Sequence, residues 1–127
     1  MNDTTARAFA PVVLRIGLAA MYLWFGFSEV LNPDLWTTWV PTWASSLTGL
    51  TPHTIVYING GFEIAMGAFL AFGLAVRWVA LILAAHMALI VYEIGFDAIG
   101  VRDAAIAAAT LALGLGGADW LSLDKKS

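Results

Sequence analysis

Four apolar stretches, at roughly 8–31, 53–75, 76–96 and 102–121, take up most of this 127-residue chain. Each is about as long as the 20 residues an α-helix needs to cross the hydrocarbon core of a bilayer. Hydrophobic residues make up 61% of the sequence and charged ones 12%, where a soluble domain carries about 25% charge. The mean hydropathy is +0.82. A chain this short buries too small a fraction of its surface to hide so many apolar side chains from water. The expectation is therefore an all-α membrane protein: one domain over 1–127, a bundle of four transmembrane helices. With Arg15 and Glu29 inside it, the first stretch reads as a span rather than a cleaved signal.

Local signals set the boundaries. Asn32-Pro33-Asp34 ends the first span, because a proline disfavours helix in the residue before it. Thr51-Pro52 opens the second as an N-cap followed by proline at the first helical position. A tight turn near Val76-Arg77 joins the second and third spans, and Gly95 to Gly100 separates the third from the fourth. Arg7, Arg77, Lys125 and Lys126 lie on one side of the bundle, and Arg102 is the only Lys or Arg on the other. The positive-inside rule then places both termini in the cytoplasm.

Between the first two spans, the segment 33–51 carries Trp36, Trp39, Trp43 and Leu47 at helical spacing, with Val40 beside them. It reads as a short amphipathic helix at the outer interface, kinked at Pro41. Two roles stay open for it, an aromatic anchor in the headgroup region or a lid over a pocket. In the fourth span Ala104, Ala108, Ala112 and Gly116 put a small residue at every fourth position. That ladder, like Gly60, Gly61, Gly67 and Gly73 in the second, lets a neighbouring helix approach closely.

The polar residues inside the spans carry the functional signal, because a charge at mid-bilayer is costly and is seldom kept for packing. Arg15, Tyr22 and Glu29 are spaced by seven on the first span, Asn59 and Glu63 by four on the second. His86 and Glu93 share a face of the third, and Asp103, Thr110 and Gly117 a face of the fourth. Turning all four stripes inward is the economical arrangement. At 1.5 Å per residue, Glu63 and His86 both fall near mid-membrane, so a hydrogen bond between them is expected. Glu29, Glu93, Asp97, Arg102 and Asp103 gather toward the outer face. Arg102 would pair there with Glu93 or Glu29, or form a capping and ion-pair device with Asp103. At least one buried carboxylate, Glu63 first, would be protonated. Arg15 either reaches the headgroups or pairs with Asp119.

The absence of cysteine excludes disulfides, thiolate metal sites, iron–sulfur clusters and covalently attached c-type haem. Without a basic cluster there is no case for nucleic acid. Two histidines leave no bis-His haem site, since His53 sits at the end of its helix, and Glu63, His86 and Glu93 lack a tight ligand spacing for a metal.

These residues together resemble the DoxX family of small four-helix prokaryotic membrane proteins. The first span, from Leu14-Arg15 through Gly26 to Leu31-Asn32-Pro33, is similar to that family's opening pattern. Glu63-x-x-x-Gly67 with Leu70 and Gly73, then Arg77, is similar to its second span. Arg102-Asp103, the alanine-rich helix, Gly116-Gly117 and Ser122-Leu123-Asp124 are similar to its close. Glu29 departs from the pattern, standing where the family often has a lysine. The resemblance implies location in a prokaryotic plasma membrane and quinone-linked redox chemistry. The family takes its name from a subunit of an archaeal terminal quinol oxidase, and related proteins form the membrane part of a thiosulfate:quinone oxidoreductase.

Three functions follow as expectations. The first is a quinone-interacting subunit of a membrane redox system, using Glu63, His86, Glu93, Asn59 and Tyr22 to bond a quinone and move its protons. Its electrons would come from a redox partner subunit, and Arg15, Glu29, Arg102 and Asp103 would form intramembrane ion pairs. The second is an assembly protein without chemistry, contacting its partners through the tryptophan segment and the small-residue ladder. The third is a proton- or solute-conducting protein, formed as a homo-oligomer.

Overall fold

The computed structural model describes residues 2–95 and 97–124. Lys125 and Lys126, on which the expected orientation partly rests, lie outside the described residues. Four long helices run up and down: α1 (Asp3–Leu31), α3 (Pro52–Phe72), α4 (Val76–Ile94) and α5 (Ala98–Gly116), with the short α2 (Thr42–Thr48) between the first two. No strand occurs among the described residues. At 1.5 Å per residue the last three long helices measure about 30 Å, the thickness of the hydrocarbon core. All four are long and apolar enough to cross a membrane.

Neighbouring helices form a ring, α1 against α3, α3 against α4, α4 against α5 and α5 against α1. The tightest seams are α1–α3 and α4–α5. Where α1 crosses α3, a Cβ added at Gly26 would lie 2.8 Å from the Gly60 carbonyl, and one at Gly60 would lie 2.9 Å from the Gly26 carbonyl. At the other seam Gly114 accepts Leu81. The core between these seams is Leu18, Ala19, Tyr22, Leu70, Val76, Val79, Ala80, Leu83, Met87 and Leu113. Large apolar side chains such as Val13, Trp24, Trp78, Leu89 and Leu115 point outward, where lipid replaces water as their solvent.

The expected small-residue ladder is not the packing face. Ala108, Ala112 and Gly116 are exposed, and nothing stands within 4 Å of a Cβ placed on Gly116. The heptad rotation that buries Asp103, Thr110 and Gly117 turns the ladder about half a turn away, onto the outer side of α5.

Three boundaries also differ from expectation. The turn between the second and third spans is Gly73 to Ala75, not Val76-Arg77, because Gly73 takes a left-handed φ of 71° and stops α3 at Phe72. Asp97 caps α5 through a 2.8 Å bond from the Gly100 amide, so that helix starts at Ala98 and encloses Arg102 and Asp103 instead of beginning with them. The segment 33–51 is two 3-10 turns, Pro33–Leu35 and Thr37–Trp39, followed by α2. A continuous helix is blocked at Pro41, and Val40 before it is extended at ψ 120°.

Candidate functional site

Two groups of polar side chains occupy opposite halves of the bundle. At the end that carries the start of α1 and the residues after α5, Arg15 is 1% exposed. Its Nε donates to Asp119 at 2.9 Å, and its Nη1 to the carbonyls of Leu70 at 2.8 Å and Ala71 at 2.9 Å. Those carbonyls belong to the last turn of α3, where Leu70 also accepts the Gly73 amide at 3.0 Å and where the negative end of the helix dipole lies. The guanidinium thus closes a helix terminus and neutralises Asp119 at once. Of the two roles open to Arg15, this one is structural. Burial pushes the Asp119 carboxyl upward, but the bonds from Arg15 and the Leu121 amide outweigh it and hold it below the ordinary aspartate value of 3.8.

Mid-bundle, the Tyr22 hydroxyl and Thr110 Oγ1 share a 2.9 Å hydrogen bond, and Thr110 donates to the Ile106 carbonyl at 2.8 Å. Both side chains are closed off in the core.

In the other half, α1, α3 and α4 bring together Glu29, Asn59, Glu63 and His86. Asn59 Nδ2 donates to Glu29 Oε1 at 2.8 Å and to Glu63 Oε1 at 3.0 Å. His86 Nε2 stands 3.6 Å from the same Glu63 oxygen. That is longer than the hydrogen bond expected between them. Two buried atoms in this group have no hydrogen-bond partner, Glu29 Oε2 and His86 Nε2.

Beside them lies a cavity of about 360 Å³, lined by Thr48, Leu50, Ile55, Ile58, Asn59, Phe62 and His86. The Phe62 and His86 rings meet with centroids 5.1 Å apart. Thr48, Leu50 and Ile58 are themselves exposed, so the cavity opens outward between α3, α4 and the end of the 33–51 segment. Asn59, His86 and the Thr48 hydroxyl supply its side-chain polarity; Glu63 stands behind the first two, and Glu29 behind Asn59.

Other candidates fall elsewhere. Tyr22 bonds Thr110 instead of lining the cavity. Glu93 lies one heptad on from His86 along the same side of α4, but near the end of that helix it is exposed and does not line the cavity. Arg102 pairs with neither Glu93 nor Glu29. Its guanidinium lies 3.4 Å from the adjacent Asp103, with the arginine side chain 58% exposed and the aspartate buried. Residues 101–103 sit on the first turns of α5, so the arginine leans along its own helix. Phe62, Ile55 and Ile58 were not singled out from the sequence. Ile55 and Phe62 lie one turn on either side of Asn59 and Ile58 next to it, and that spacing is the signal that could have found them. Among the described residues no three His, Cys, Asp or Glu side chains converge as metal ligands.

Helices that are apolar outside, with charge and amide groups locked inside, define a small multi-pass membrane protein. A family model described as DoxX matches residues 10–95, more than half of the sequence, and the chain belongs to the DoxX family. Among curated proteins and among solved structures nothing matches.

Proposed function

We propose that this DoxX-family protein is a quinone-interacting subunit of a membrane redox system, lying in a prokaryotic plasma membrane with both termini cytoplasmic. The observation that supports this reading is the cavity wall where Asn59 and His86 stand side by side, backed by Glu63. A quinone ring needs apolar walls, a donor for its carbonyl oxygen and a group that exchanges a proton with it. Ile55, Ile58, Leu50 and Phe62 are suited to the ring, the Asn59 amide and the imidazole to the oxygen, and Glu63 to orienting both from behind. The volume is at the small end of ligand cavities, fitting a headgroup whose tail stays in lipid. Electrons would pass to or from a partner subunit.

Lipids extracted from protein purified in mild detergent test this directly. Quinone is expected at near one per chain, falling at least tenfold in Asn59→Leu and His86→Ala variants that keep their fold. Absence of quinone from the wild-type extract overturns the reading.

The outward ladder of Ala108, Ala112 and Gly116 favours a second reading, a non-catalytic subunit held against a partner helix or a second copy. Co-purification with a fixed partner that survives His86→Ala, with no quinone in the extract, would support it.

A further inference from the structure

We infer that Glu29 and Glu63 hold one proton between them, through the amide of Asn59, as a charge-compensating store beside His86. Both carboxyls are buried, Glu29 at 7% and Glu63 at 5% exposure. Each puts one oxygen on the same Asn59 nitrogen, at 2.8 and 3.0 Å, so the two acids lie within one amide's reach of each other. Two ionised carboxylates so placed repel strongly in a low-dielectric interior, and such a pair releases its protons in two separated steps. Compensation would have to come from a cation. Among the described residues, however, Arg15 pairs with Asp119 and Arg102 with Asp103, and neither acid has a Lys or Arg partner. What Asn59 offers is a neutral donor, which holds both oxygens in place without cancelling a charge.

The unpartnered atoms agree with this count. Glu29 Oε2 is buried with no donor near it, a poor place for a bare carboxylate oxygen and a tolerable one for a carboxylic acid. The titratable groups around the pair are His86 on α4, 3.6 Å from Glu63, Tyr22 on α1, and Asp103 on α5, which is already matched with Arg102. Of these, His86 is the one that both stands within 4 Å of Glu63 and lines the cavity. An imidazole that takes a proton from a ligand hydroxyl becomes a cation beside Glu63. That cation stabilises the ionised pair, which then gives up its shared proton. The balance is one proton from ligand to His86 and one from the carboxyl pair to water. This coupling rests on the quinone reading; the shared proton does not.

Infrared spectroscopy of the purified, ligand-free full chain at neutral pH reads the proton directly. Wild-type protein is expected to show the carbonyl band of a buried carboxylic acid. Because the conflict needs two acids, the band should vanish in Glu29→Gln and equally in Glu63→Gln, and persist in Asp103→Asn. A wild-type spectrum without the band overturns the proposal and needs no variant. A band lost in only one of the two glutamine variants also overturns it, since that band would belong to a single isolated acid. Quinone absent from the lipid extract leaves this result standing, so the two failures are distinguishable.

Discussion

A buried guanidinium is stable only where every donor finds an acceptor, and Arg15 shows how narrow that condition is. Its Nε and Nη2 face the two oxygens of Asp119 at 2.9 and 3.4 Å, while Nη1 serves two carbonyls of α3. Removing one member of a buried pair leaves the other uncompensated, at a cost of about 3 kcal/mol or more. Asp119→Asn is therefore expected to lower stability by about that much, measured by denaturant titration in detergent micelles. The aspartate's carboxyl is depressed in the folded protein, so its contribution is complete at neutral pH. It is lost as the pH falls below the ordinary aspartate value of 3.8 and through the lower folded value. Wild-type stability should decline across that acid range, and the Asn variant should follow a flatter course. An equal decline in both would remove Asp119 from the account.

Helix seams make a different demand, for backbone approach instead of charge. On α1 and α3, Gly26 and Gly60 face one another so closely that each added Cβ would meet the opposite carbonyl within 2.9 Å. Carbonyl oxygens cannot rotate aside as a side chain can, so Gly26→Ala should push the helices apart and cost about 1–3 kcal/mol. Gly61, the next residue to Gly60, has nothing within 4 Å of its Cβ position. Gly61→Ala should raise stability by up to about 1 kcal/mol through helix propensity alone, and the opposite signs can be read from melting of the two variants side by side. The glycine content of α3 by itself put both Gly60 and Gly61 among the close-approach positions, and Gly61 is not one. Glu63 and Gly67 fix the inner face of α3, and Gly60 lies on it while Gly61 does not. The partners were less legible. Periodicity gives the face of a helix but neither its rotation against a neighbour nor the few ångströms of rise that decide who meets whom. Hence Arg102 bonds its own neighbour, Asp103, and the amide of Asn59 stands nearer Glu63 than His86 does. The ladder of Ala108, Ala112 and Gly116 has the right spacing for packing and the wrong phase.

At the scale of the molecule, residues after α5 tie three helices together at one end. Trp120 Nε1 donates to the Ala8 carbonyl of α1 at 2.8 Å, and the Leu123 and Asp124 amides reach the carbonyls of Phe72 and Gly73 at the end of α3. The carboxylate of Asp124 accepts from the amides of Ala75 and Val76, both at 2.7 Å, and so caps α4 from another part of the chain. The Ser-Leu-Asp stretch stood out in the sequence, but its capping role depends on a turn some 50 residues away that only the assembled fold brings near. Ala75 is held there at φ 49° without being a glycine, a left-handed conformation that costs an L-residue about 1–2 kcal/mol. The two Asp124 bonds are what offset that strain. Asp124→Ala should therefore cost about 1 kcal/mol or more, as loss of an N-cap does. Ala75→Gly alone should stabilise by about 1 kcal/mol, since glycine adopts this φ freely. The two substitutions touch the same turn, so their effects should not add. If Asp124 serves chiefly to hold the strained turn, its loss will cost less in the Ala75→Gly background than in the wild type. A double-mutant cycle with no coupling would mean that the carboxylate caps α4 without bearing on the strain at Ala75.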